Sequence, residues 1–247
     1  MVPIALSPCR STCTVATAFA LVTTIVLGAC AETGRFRRAG EERATPAVGH
    51  ELAGALHGRT GACLTLGDAA SRVEVRVADL PGLLYRITTP VESGLAPRVT
   101  GQFGWVRVGL RPTGADGPDN VTIELNRVVR WDIRLLAGAG EQHLDLDGGR
   151  IARLELGAAG LVDVRLPRPA GTVPVTLTDG AGTVEITAPR ATPVRVRFRG
   201  GAGPASTGWT ANDGNPPGTV LTSPGWTTAP DRYAVDARAG IGALTLH

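Results

Sequence analysis

Three stretches decide the fold: GAGEQHLDL at residues 138–146, GAAGLVDVRL at 157–166 and GAGTVEI at 180–186. Each opens on small residues and then alternates. Leu144 and Leu146, Val162, Val164 and Leu166, and Val184 and Ile186 share one parity, while Asp145, Asp163, Arg165 and Glu185 share the other. An apolar side chain at every second position marks a strand with one buried face. Gly140, Gly160, Gly182 and Gly203 follow one another at steps of 20, 22 and 21 residues, with further strand-like runs at 151–156, 173–177 and 194–198 between them. Repeats of this length cannot bury a face alone and must stack. The expected fold is all-β: a single-stranded, right-handed β-solenoid with rungs of about 21 residues and two short strands each. Between residues 130 and 200 it places residue i above residue i+20 to i+22, so Leu135, Leu156 and Leu177 fall in one interior column.

Working outward, alternating runs also occupy 72–78, 83–88, 98–110, 120–125 and 131–136, and no stretch offers a convincing amphipathic helix of ten residues. The core positions are medium aliphatics, which suits a thin interior and accounts for a chain of 247 residues with only 4 Trp, 4 Phe and 2 Tyr. The outward charges alternate in sign, and a one-period offset sets Asp132 beside Arg153 and Arg134 beside Glu155. Exposed pairs of this kind contribute about 0.2–1 kcal/mol each and serve register and solubility.

Residues 204–232 break the period with a Gly/Pro/Ser/Thr-rich excursion before strands resume at 233–237 and 243–246. Trp209 and Trp226 both sit in it, in Gly-Trp-Thr contexts. A long loop without strands of its own is a recognition candidate, so Trp209, Asn212, Asp213 and Trp226 are the expected contact surface. The rings could stack on sugar faces, or fold back as caps over the open core end.

At the other end, residues 12–29 are apolar or small throughout, follow Arg10 and run into Leu27-Gly28-Ala29-Cys30. That is the layout of a secretory signal peptide. The last four residues resemble the bacterial lipobox, which implies diacylation of Cys30 and cleavage before it, leaving 247 − 29 = 218 residues. The division that follows is a signal peptide at 1–29, a flexible tether at 30–60, where Glu51–His57 could make a helical turn, and the β-domain at 61–247. Cysteines 9, 13, 30 and 63 form no Cys-x-x-Cys and lack histidines at finger-like spacing, so neither a zinc site nor a disulfide framework is expected. The 25 basic residues, all Arg, are interspersed with 22 acidic ones, which argues against nucleic acid as partner.

With glycine turns, two strands per period and the closing YAVDARAGIGALTL (233–246), residues from about 64 to 247 resemble the bacterial putative-adhesin, or toast-rack, families. The resemblance implies a membrane-tethered β-solenoid, sometimes linked to envelope-stress signalling, and carries no catalytic residues. No Gly-x-Ser-x-Gly, His-Glu-x-x-His or phosphate-cradling loop occurs; the Gly-Ala-Gly turns lack a following helix, and His143 and His247 stand alone in the sequence. The expectation is a non-enzymatic envelope interaction or scaffolding module without metal or cofactor, reaching the membrane through the lipid on Cys30. Its partners would be envelope proteins or, as the alternative, cell-wall glycan met by the tryptophan loop.

Overall fold

The computed structural model describes residues 49–247, so Cys30, the expected signal peptide and most of the expected tether lie outside the described residues. Those described contain strands and turns and no helix. In chain order the strands are β1 (His50–Ala55), β2 (Gly61–Leu66), β3 (Ala70–Ala78), β4 (Leu83–Thr89), β5 (Leu95–Thr100), β6 (Trp105–Pro112) and β7 (Asn120–Asn126). Next come β8 (Arg130–Leu135), β9 (Ala139–Asp145), β10 (Arg150–Leu156), β11 (Ala159–Arg165), β12 (Thr172–Leu177) and β13 (Ala181–Thr187). The last are β14 (Val194–Phe198), β15 (Ala205–Thr207), β16 (Ala211–Asn212), β17 (Val220–Thr222), β18 (Arg232–Ala237) and β19 (Ile241–Leu246).

They form two mixed sheets, one of ten strands in the order β1-β4-β7-β3-β9-β11-β13-β19-β15-β16 and one of nine in the order β17-β14-β18-β12-β10-β8-β2-β6-β5. We call them sheets A and B. From β7 to β15 in A, and from β14 to β6 in B, neighbours run parallel; β1, β4 and β16, like β5 and β17, are antiparallel flanks. From β8 to β13 the chain alternates between the sheets, B then A, and each parallel strand lies beside its counterpart one period later. Register sets Leu135 against Leu156 and Leu156 against Leu177, all three buried. In sheet A it sets Leu144 against Val164 and Val164 against Ile186. The inward residues of both sheets form one hydrophobic cluster, the main source of stability for alternating strands of this kind.

The periodic glycines have a steric cause. A Cβ on Gly140 would come 2.7 Å from the Ser71 carbonyl oxygen, and one on Gly160 would come 2.9 Å from that of Gly140. Gly182, Gly242 and Gly203 continue the column, each against the carbonyl of the glycine before it in that order. The turn backbones stack too closely for a side chain, and that fixes the glycine spacing read from the sequence.

Chain order and spatial order part company at both ends. The strand beside β12 is β18, 60 residues on (Val175 against Val235), and β14 lies beyond it (Val196 against Val235). Likewise β2 and β3 sit between β6 and β8 and between β7 and β9. Stacking at i+21 therefore covers β8, β10 and β12 but not β14, because the C-terminal pair fills that place. The 204–232 excursion is not strandless: it contains β15, β16 and β17, short pieces that cover sheet edges otherwise open to pairing. The run at 98–110 is broken by a turn into β5 and β6. Within the expected tether, His50–Ala55 forms no helical turn but β1, paired with β4. Its sequence HELAGA hid this, since the strand is largely exposed and held by backbone pairing rather than by an apolar face.

One core position breaks the apolar rule. Gln142 is fully buried between Val73 and Val162, and neither atom of its amide has a hydrogen-bond partner.

Candidate functional site

The structure spreads the expected contact residues over both sheets. Trp209 occupies the corner between β15 and β16 in sheet A, where Thr207 N–H donates to the Thr210 carbonyl at 2.8 Å and closes a tight turn. Its ring is half-buried against the core, with the indole N–H buried and unpartnered. On β16, Asn212 Nδ2 donates to Asn215 Oδ1 at 3.0 Å, and buried Asn215 in turn donates to the Gly203 carbonyl at 2.8 Å. Asp213 is exposed on the same hairpin, so these three residues are brought together. Trp226 is not among them: it follows β17 and packs on sheet B. The Arg195 and Arg232 guanidinium carbons lie 3.9 and 4.3 Å from its ring centroid, its Nε1 donates to the Tyr233 carbonyl at 3.0 Å, and Arg232 donates back to the Trp226 carbonyl at 2.7 Å. Its ring is engaged by the protein's own cations.

The bare aromatics are at the opposite end of sheet B. Phe103, in the turn between β5 and β6, is 85% exposed with φ at +53°, and Trp105, at the start of β6, is 49% exposed. Cys63, opposite Trp105 in the register, is buried on the outward side of β2. Around these aromatics stand Arg98, Arg107, Arg130 and Arg150, all exposed and none in an ion pair with a described residue. Arg130 and Arg150 face each other directly across β8 and β10, a like-charge pairing that costs stability unless something else answers it. Sequence reasoning passed over this group because it read 98–110 as one strand. The signal was available: Gly101-Gln102-Phe103-Gly104 is a turn, and Trp105 and Arg107 share the outward parity opposite buried Val106 and Val108.

Elsewhere the outer charges are satisfied. On sheet A, Arg72 Nε donates to Glu141 Oε2 at 2.8 Å, His143 Nε2 lies 3.0 Å from the same oxygen, and His143 Nδ1 lies 3.6 Å from Asp163. His143, alone in the sequence, thus stands between two carboxylates in the fold. The His143 hydrogen bond, then Arg72, holds the Glu141 carboxyl below its ordinary value. Glu124 takes both Arg76 and Arg86, at 2.9 and 3.2 Å. On sheet B, the offset pairs read from the sequence are in place: Arg134 to Glu155 at 3.7 Å and Arg153 to Asp132 at 3.9 Å. A groove of about 610 Å³ at the C-terminal end is lined by glycine, alanine and proline with Ile241 and Asn215, whose amide is already spent. Among the described residues no group of three or more His, Cys, Asp or Glu side chains is arranged to hold a metal ion.

No protein-family model matches the chain, and no curated protein matches it. Among solved structures, a putative cell adhesion protein from Clostridium sporogenes ATCC 15579 superimposes with a TM-score of 0.61 at 16% identity, covering 81% of this chain and 99% of that one. A putative adhesin from Bacteroides fragilis NCTC 9343 covers 80% of this chain and 97% of its own, at 6% identity and a TM-score of 0.27. The first likeness shows that the chain shares the fold of a bacterial protein of that description: all-β, in two many-stranded mixed sheets.

Proposed function

We propose that the chain is an extracytoplasmic interaction or scaffolding module of a bacterial cell envelope, non-enzymatic, and tethered to the outer face of the membrane by a lipid on Cys30. The observation that carries this reading is the likeness of the domain, over nearly the whole length of the other chain, to a structure described as a cell adhesion protein. The motif Leu27-Gly28-Ala29-Cys30 at the close of an apolar segment supports the anchor. Between Cys30 and β1 lie residues 31–49, which would extend at most about 65 Å at 3.3–3.6 Å per residue and keep the domain near the surface. Cys30→Ser should then leave the uncleaved precursor without its lipid and release the mature form from membranes. Retention of the variant in the detergent phase at unchanged mass would make the anchor an uncleaved helix instead. Cross-linking on intact envelopes is expected to capture a defined protein partner of the domain; retention on cell-wall glycan, lost in Trp209→Ala, would replace that partner with a carbohydrate.

A further inference from the structure

We propose that the outer face of sheet B at its β5–β6 end is a second, non-covalent membrane contact, which lays the domain against a bilayer rich in anionic phospholipid headgroups. The inference deepens the tethered reading and rests on it for a bilayer within reach.

The residues fall on a grid set by strand register. Trp105 stands opposite Cys63, and Cys63 opposite Asp132. Arg107 stands opposite Thr65 on one side and Thr100 on the other, and Arg98 lies on β5 opposite Gly109. Gly61, Arg130 and Arg150 make the row nearest the turn that carries Phe103. From β6 to β10 is three strand spacings, about 14 Å, so the whole group fits one patch of bilayer surface.

The chemistry matches an interface between water and lipid. Phe103 presents almost its whole side chain to solvent from a left-handed backbone, a conformation that suits asparagine or glycine better and that nothing in the fold's own packing rewards. Tryptophan beside it is the residue that prefers the headgroup level, with an apolar ring and a polar N–H. Four arginines without acidic partners supply the charge that anionic headgroups complement, whereas the carboxylates nearby are already taken: Asp132 by Arg134 at 3.1 Å, and Asp68 by the Leu110 N–H at 2.7 Å. A glycan would want flat rings flanked by amides and carboxylates; here the aromatics are flanked by cations.

The test uses the full chain with vesicles whose acyl chains carry bromine, a contact quencher of tryptophan. Trp131 is buried, and Trp209 and Trp226 lie at the far end of the domain, so Trp105 is the reporter. With vesicles containing phosphatidylglycerol, part of the emission should be quenched. That part should vanish in Trp105→Phe, in pure phosphatidylcholine and at about 0.5 M salt, where screening is strong. Phe103→Ser should weaken the association, and Arg130→Gln with Arg150→Gln should weaken it about fivefold for each arginine removed, at unchanged melting temperature. No quenching with phosphatidylglycerol, or quenching indifferent to lipid charge and to the arginines, overturns the proposal. So does binding to soluble dextran sulfate without quenching, which would assign the face to an acidic polymer. An unacylated Cys30 with quenching intact would sink the tether and leave this contact standing.

Discussion

The two ends of the domain treat their aromatic side chains in opposite ways. At the C-terminal end, Trp226 lies under two arginines and spends its N–H on the Tyr233 carbonyl, while Trp209 is pressed on the core. At the N-terminal end, Phe103 and Trp105 stand in solvent beside arginines that no carboxylate neutralises. Both ends close a stack of parallel strands with short antiparallel pieces, so closure alone does not require bare rings. The difference separates rings that hold the fold from rings available to something outside it. Loop length and tryptophan content pointed to the first group; exposure and unanswered charge point to the second.

Stability measurements can break that comparison. Trp226→Ala removes a half-buried ring, one hydrogen bond and two cation–π contacts, and should cost about 2–4 kcal/mol in urea unfolding. Trp105→Ala should stay within about 0.5 kcal/mol of the parent, as exposed substitutions do. Equal losses at both ends would mean that Trp105 is as structural as Trp226.

Acid provides a second, smaller probe, because it strikes the paired charges and spares the arginine face. Glu141 is held below its ordinary value by His143 and then by Arg72. A carboxyl lowered in the folded state contributes stability that is present above its unfolded value and is lost as pH falls through the folded one. The melting temperature should therefore fall as the pH drops below about 4.3, the ordinary glutamate value, and less so in Glu141→Gln. An identical acid profile in the variant would show that the Arg72–Glu141–His143 chain contributes nothing to the folded state.

How much of this was legible in the sequence follows from what each feature depends on. The strands from 130 to 187 could be read because parity and glycine spacing are local, and the offset pairing of Asp132 with Arg153 came with the period. The insertion of β18 beside β12 could not: Val175 meets Val235 across 60 residues, and no local pattern records a skipped place. β1 was hidden because a flank held by backbone hydrogen bonds needs no apolar alternation. Gln142 was legible by parity with Leu144, yet composition gives no hint that its amide goes unanswered. As for the contact surface, the sequence marks Trp209 and Trp226 as loop residues but cannot say that arginines from β14 and β18 come to lie over the latter.

The smallest expected effect is the sharpest test of the contrast. Phe103 holds φ at +53°, where an ordinary side chain crowds its own backbone, and it is 85% exposed, so the folded protein gains little from the ring. Asparagine tolerates that conformation, since its short amide can bond locally. Phe103→Asn should thus leave the fold intact and stabilise it by up to about 1 kcal/mol, or roughly 2–4 °C in melting temperature for a domain of this size. Trp226→Asn, the same replacement at the other end, should destabilise. A gain in stability joined to weaker association with anionic vesicles would show that Phe103 is kept at a cost to the fold for the sake of a contact outside it. A loss of stability would mean that Phe103 packs against the protein in solution, and the two ends would then differ only in degree.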